Sequence, residues 1–248
     1  LDIVSVDQNN DVYVWECPSS PFTDTWNKNK VGTMDDEGRH VEVGDFDNDG
    51  DLDLVSVGSD KKPHFWENDG TPFSGTWNEY IPSSLINTIP EVKVGDLDND
   101  GDLDVVTGDI SKKLYLWKNI LIHRNMPFGT PAQIGSLVNV INEVISADFN
   151  NDGNLDLATA DDDGGIYVWK MGTSPWGSWT KQEVGTLSSG VKCIAAADLN
   201  RDGYIDLVSG DESRKIYVWK NDGAPFSGTW DTNKEIGSGA VSYTHLRA

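Results

Sequence analysis

Four short stretches of this 248-residue chain carry residue types whose spacing could do chemistry, and that chemistry is the wrapping of a cation. Each is nine residues long, with oxygen-bearing side chains at positions 1, 3, 5 and 9 and glycine at position 6. In the first, Asp45, Asp47, Asp49 and Asp53 hold those positions and Asp51 stands at position 7. The second places Asp96, Asp98, Asp100 and Asp104 there, with Asp102 at position 7. The third has Asp148, Asn150, Asp152 and Asp156, with Asn154 at position 7. The fourth has Asp198, Asn200, Asp202 and Asp206, with Tyr204 at position 7. Calcium takes six to eight oxygens at about 2.3–2.6 Å, and a sharp turn at glycine lets several carboxylates converge on one ion. Variation at position 7 is expected of a residue that gives only its backbone carbonyl. About four Ca2+ sites are therefore expected. A helix–loop–helix site is disfavoured, because no Glu stands at position 12 and the residues there lie in β-rich runs. Magnesium, which prefers fewer carboxylates and retained waters, fits less well. The expected role is structural: without the ion, close carboxylates repel, and binding free energy becomes folding free energy.

The elements that position these loops repeat with them. The ninth-position aspartates Asp53, Asp104, Asp156 and Asp206 are spaced by 51, 52 and 50 residues, and another step of 51 back from Asp53 lands on Asp2. The run from Leu1 to Asp7 matches that from Leu52 to Gly58, so the chain opens on the tail of a fifth copy. After each loop comes a short β-rich run, a polar turn, and an aromatic strand such as Tyr13–Trp15, Tyr115–Trp117, Tyr167–Trp169 or Tyr217–Trp219. A Gly/Pro loop ending in Trp26, Trp77, Trp179 or Trp230 follows, then two further strand-like runs. Short strands, frequent turn signals and a period near 50 predict an all-β chain: a β-propeller of four-stranded antiparallel blades, five units visible, as a ring or as an arc of a larger one. No helical period competes. A single domain is expected over 1–241, with units at about 1–44, 45–95, 96–147, 148–197 and 198–241. The tail 242–248 is foreign to the repeat and reads as an artefact. The third unit departs at Ile120–Met126, a longer rim loop carrying His123 and Arg124.

Composition narrows the partners. The formal charge is −22, which argues against nucleic acid and anionic membrane surfaces. No stretch approaches the length of an apolar membrane span, so no membrane insertion is expected. Ten Trp and many strand-forming runs argue against disorder. Cys17 and Cys193 make no metal spacing and are read as unpaired. No signal peptide is visible, but the chain begins inside a motif.

The acidic loop between two strands, four times in phase, resembles the FG-GAP/VCBS repeats of integrin-α-like β-propellers, in their bacterial or archaeal style. The resemblance covers the chain except its last seven residues. It implies a secreted or surface-exposed propeller with Ca2+ in the hairpin loop joining the first two strands of a blade.

At period 2, both rings of each strand pair fall on one face, and inter-blade core is the expected role. The loop tryptophans Trp26, Trp77, Trp179 and Trp230 could stack on sugars, but capping of a sheet edge is the expectation. The four histidines occupy unrelated phases, and His64, standing where other units have Tyr, is read as packing. No catalytic constellation is visible. The expected function is thus a non-catalytic, calcium-stabilised extracellular binding or adhesion module for a glycan or a surface protein. The alternatives are the propeller of a polysaccharide lyase or glycoside hydrolase, which requires unique polar residues at one point, and a structural spacer. The ligand and the oligomeric state are not legible in the sequence.

Overall fold

The computed structural model describes residues 2–85, 87–120 and 128–238. The third-unit residues 121–127, including His123 and Arg124, lie outside these, as do residues 239–248, which hold the end of the Glu235–Val241 run, His245 and the tail.

Five antiparallel sheets follow one another along the chain. The first has three strands, β1 (Ile3–Val6), β2 (Asp11–Glu16) and β3 (Asn27–Thr33). The second has four, β4 (Gly38–Gly44), β5 (Asp53–Gly58), β6 (His64–Glu67) and β7 (Asn78–Tyr80). The third comprises β8 (Glu91–Gly95), β9 (Asp104–Gly108), β10 (Lys113–Trp117) and β11 (Ala132–Ser136). The fourth comprises β12 (Ile141–Ala147), β13 (Asp156–Asp161), β14 (Gly165–Lys170) and β15 (Thr180–Thr186). The fifth comprises β16 (Val191–Ala197), β17 (Asp206–Asp211), β18 (Lys215–Lys220) and β19 (Asp231–Ser238). Within each sheet the strands are hydrogen-bonded in sequence order, which is the pattern of a propeller blade. Each acidic loop joins the first strand of a four-stranded sheet to the second. No helix of the described residues is long and apolar enough to cross a membrane.

One hydrogen bond explains the strand tryptophans. Trp15, Trp66, Trp117, Trp169 and Trp219 donate their indole N–H to Ser5, Ser56, Thr107, Thr159 and Ser209 at 2.8–3.0 Å, each acceptor ten residues earlier on the adjacent strand. A buried indole thus satisfies its polar atom inside its own sheet. A register shift recurs beside these bonds, between Val12/Tyr13, Leu114/Tyr115, Ile166/Tyr167 and Ile216/Tyr217, and such bulges sharpen twist where they fall.

The chain divides into two compact units, Leu1–Val94 with Gly101–Ile110 and Trp117–Pro131, and Gly95–Asp100 with Ser111–Leu116 and Ala132–Ala248. In the first, Val12, Val14, Leu54 and Trp66 form one buried cluster, and Phe46, Val55, Phe65 and Trp117 belong to another. In the second, Phe149, Ile166, Leu207 and Trp219 are part of a third. Within a unit, successive sheets meet at a tryptophan seated on a glycine. A Cβ at Gly32 would stand 2.1 Å from the Trp66 ring; at Gly135 it would be 2.3 Å from Trp169, and at Gly185 2.5 Å from Trp219. Trp66, Trp169 and Trp219 therefore serve as inter-sheet core, whereas Tyr13 and Trp15 of the first sheet are only partly covered.

The loop tryptophans are also accounted for locally. Trp26, Trp77, Trp179 and Trp230 each donate an indole N–H to the carbonyl of a proline in the same loop, Pro21, Pro72, Pro175 and Pro225, at 2.7–3.2 Å. Cys17 and Cys193 are both free. His64 does more than pack. Its ring stacks on Trp66, with Asp60 Oδ2 at Nε2 and Glu79 Oε1 at Nδ1. Burial pushes the imidazole down, but the two carboxylates together outweigh it and leave its pKa raised.

Candidate metal centre

The four loops share one backbone. Position 6 is in the left-handed region in all of them, with φ of 96° at Gly50, 93° at Gly101, 86° at Gly153 and 91° at Gly203. A Cβ there would meet nothing within 4 Å, so glycine serves conformation and not space. Position 4 is also left-handed, at Asn48, Asn99, Asn151 and Arg201, which explains the preference for Asn. The turn is held by the acidic side chains. In the third loop the Asp152 N–H donates to Asp148 Oδ1 at 3.1 Å and Asn150 Oδ1 at 2.9 Å, and Gly153 N–H to Asp148 Oδ2 at 2.8 Å. The first and fourth loops repeat this set.

Convergence follows. In the first loop Asp45, Asp47 and Asp49 each bring a carboxylate oxygen within 4.8 Å of the others. In the second, Asp96, Asp98 and Asp104 do the same. Oxygens each about 2.4 Å from one calcium lie at most about 4.8 Å apart, so both triads are close enough to share one ion. In the third and fourth loops Asn150 and Asn200 replace one carboxylate with an amide oxygen. Position 7 makes contacts beyond its own loop, although Asn154 Nδ2 also donates to Asp152 Oδ1 at 2.8 Å within it. Asp102 accepts from Asn48 at 2.6 Å, Asn154 accepts from Asn99 at 3.2 Å, and the Tyr204 ring packs at Gly223. With Asn151 donating to the Gly203 carbonyl at 2.8 Å, the position-4 side chain of each Asn-bearing loop reaches the next loop.

Position 9 has a second task that the spacing did not suggest. Asp53, Asp104, Asp156 and Asp206 are buried, and each accepts through Oδ1 from the backbone N–H fifteen residues on, at Asn68, Asn119, Met171 and Asn221, at 2.9–3.0 Å. Asp53 and Asp206 also accept through Oδ2 from the N–H of position 2. This aspartate pins the loop to the end of the following hairpin. In the third loop Asp156 Oδ2 is buried without a hydrogen-bond partner, which a cation in the loop would supply. The donor set of hard oxygens around an orphaned carboxylate fits Ca2+. Burial pushes Asp53 and Asp156 up to about 7, against the hydrogen bonds from Asn68 and Met171. Asp47 is raised too, by burial and then by the Asp49 charge.

That electrostatics has a measurable sign. A carboxyl whose folded pKa lies above its unfolded value stabilises the fold below the unfolded pKa and loses that contribution as pH rises through the folded one. Metal-free protein should therefore lose stability between about pH 4 and about pH 7. Calcium should displace protons as it binds near pH 6. Calorimetry in buffers of different ionisation enthalpy reads the released protons directly; buffer-independent heats would rule this out.

The loops are not electrostatically equal. Lys170 lies 3.4 Å from Asp152 and Lys220 lies 3.2 Å from Asp202, whereas the first loop has four carboxylates and the added charge of Glu67 acting on Asp47. Sequence reasoning also missed a cluster on the first strands of two sheets. There Lys93 Nζ lies 2.6 Å from Glu42 Oε1 and 3.4 Å from Glu91 Oε1, and His40 Nδ1 lies 2.9 Å from Glu91 Oε1. Its signal was present in phase, at three and five residues before the first and second loops. The lysine set between two carboxylates reads as internal charge compensation.

A family model described as an FG-GAP-like repeat matches residues 1–56, 45–107 and 148–209, which together make up more than half of the chain. No curated protein matches the sequence.

Proposed function

The chain belongs to the FG-GAP-like repeat family, and from that premise we propose that it is a non-catalytic, calcium-stabilised binding or adhesion module acting outside the cell on a glycan or a surface protein. The observation that carries this is the repetition of one acidic loop in four in-phase copies, two of which bring three carboxylates within 4.8 Å. Bound Ca2+ would supply the opposite charge that lets these carboxylates stand close together. The residues proposed to hold it are positions 1, 3, 5 and 9 of each loop by side chain, with position 7 giving its carbonyl. The first loop, richest in negative charge, should bind most tightly. Extracellular modules commonly bind calcium at about 10⁻⁴–10⁻³ M, which suits millimolar surroundings and leaves such sites largely empty in cytosol. The family typically supplies binding modules, which supports the non-catalytic reading.

The test is a glycan array and a surface-protein panel, both run in calcium and again in chelator. Calcium-dependent retention of a defined glycan or protein is the expected result. Turnover of polyuronates would replace the proposal with a lyase or hydrolase, and no retention in either screen would favour a structural spacer.

A further inference from the structure

Acidic loops that are neighbours along the chain are bonded to one another, and not equally at every joint. Two kinds of asparagine make the bonds. The first stands at position 4, between positions 3 and 5. Asn48 donates to Asp102 Oδ1 at 2.6 Å, Asn99 to Asn154 Oδ1 at 3.2 Å, and Asn151 to the Gly203 carbonyl at 2.8 Å, so each reaches position 6 or 7 of the following loop. The second stands fifteen residues after position 9, where its backbone N–H donates to the ninth-position Asp. Asn119 Nδ2 donates back to the Phe46 carbonyl at 2.7 Å and to the Leu103 carbonyl at 3.3 Å. Asn221 Nδ2 does the same with the Phe149 carbonyl at 2.8 Å and the Ile205 carbonyl at 3.1 Å. Phe46 and Phe149 are position 2 of one loop, and Leu103 and Ile205 are position 8 of the next. Asn119 and Asn221 are fully buried, where a hydrogen bond is electrostatically stronger than in water. At this phase the third loop has Met171, which has no amide to donate. The first and second loops are thus clasped twice, as are the third and fourth, while the joint of the second and third lacks the buried clasp.

We infer that these asparagines couple the metal sites in pairs, first with second and third with fourth, so that calcium held in one loop raises the affinity of its pair-mate. This rests on the reading that the loops hold calcium, for which the buried Asp156 Oδ2 without a hydrogen-bond partner speaks separately from the acidic spacing. The coupling is conformational. Close carboxylates repel, so a loop is loose until its carboxylates are gathered. Fixing positions 3 and 5 of the third loop fixes Asn151 between them. Its amide then orients the peptide that leads into position 7 of the fourth loop, the residue proposed to give its carbonyl. In the other direction, Asp206 holds the N–H of Asn221, whose side chain holds the backbone between Asp148 and Asn150. The second site of a pair is then filled at a smaller cost in conformational entropy.

The experiment is a calcium titration of the metal-free full chain, followed by amide NMR at the position-6 glycines, one probe per loop. The Gly153 and Gly203 N–H groups lie on the Asp148 and Asp198 carboxylates, so each reports its own site. Asp152→Asn weakens the third site and keeps an oxygen for the Asn154 N–H. It should raise the calcium midpoint at Gly203 at least fivefold, the lower end of typical coupling between sites. The rise at Gly101 should be smaller, because Met171 leaves that joint without the buried clasp. Asn151→Gly with Asn221→Met removes both clasps and no proposed ligand. Glycine adopts the left-handed φ of 57° at position 151, and Met171 shows methionine at the same phase as Asn221. In that background the Gly203 midpoint should no longer follow Asp152→Asn. A Gly203 midpoint indifferent to the third site in the otherwise unaltered chain overturns the inference and leaves calcium binding standing. An equal dependence with the clasps removed, or equal rises at Gly101 and Gly203, does the same. Glycine amides that do not respond to calcium overturn it together with the metal reading.

Discussion

Chelating calcium should lower the melting temperature of this protein by tens of degrees. With a dissociation constant of about 0.1 mM and free calcium of about 2 mM, each site contributes RT ln(1 + [L]/Kd), about 1.8 kcal/mol. Four such sites give about 7 kcal/mol, and a chain of this size shifts about 2–4 °C per kcal/mol, so the expected drop is about 14–28 °C. The effect is large because the loops are the links between the first and second strands of their sheets, and their ninth-position aspartates pin the next hairpin as well. Scanning calorimetry with and without EGTA measures the shift, and a titration of the metal-free protein counts the sites. Stoichiometry near four with a large shift is expected. Equal melting curves in calcium and chelator would leave the aspartates as acidic turns and remove the chemistry from the proposed function.

Replacing Trp117 by Ala should cost about 4 kcal/mol, in the range for emptying a large buried aromatic site. Trp117 is fully buried in the cluster with Phe46 and Phe65, and its removal also leaves the Thr107 hydroxyl without its 3.0 Å donor. The control lies at the same phase of the repeat. Trp15 makes the same bond, to Ser5 at 2.9 Å, but is only partly covered, with Lys28 Nζ 3.5 Å above the neighbouring Tyr13 ring. Trp15→Ala should cost about 1 kcal/mol, the usual scale for a site that is not deeply packed. Urea titrations of the two variants against wild type give the comparison. Equal losses would mean that burial does not set the cost, and that the hydrogen bond alone explains the tryptophan.

Much of this was legible because it is repeated. Four copies of an acidic turn at a constant period declare both a loop and the strands on either side of it, since strands must bring each loop back to the same place. The Tyr-x-Trp runs were legible as core for the same reason. What was not legible depends on pairing across distance. The bulge beside Tyr13, Tyr115, Tyr167 and Tyr217 cannot be read without the register, and the serine or threonine ten residues before each tryptophan gains meaning only once the two strands are adjacent. Nothing local in the sequence singles out Asn119 and Asn221. Their side chains donate to the Phe46 and Phe149 carbonyls at 2.7 and 2.8 Å, more than seventy residues away. His64 shows the opposite limit. Its departure from Tyr was visible, but the two carboxylates that raise its pKa come from a turn and from β7.

The tryptophan seated on glycine also says how such a chain can change length over generations. Where the joint is made, at Gly32, Gly135 and Gly185, one sheet offers a tryptophan knob and its neighbour a glycine socket, so a duplicated unit carrying both, as the fourth sheet does with Trp169 and Gly185, fits between its parents. A gain or loss of half a unit would set knob against knob. Heritable change in this architecture is therefore quantised, in steps of about fifty-one residues between one tryptophan and the next, as the spacings of 51, 52 and 50 between the ninth-position aspartates record.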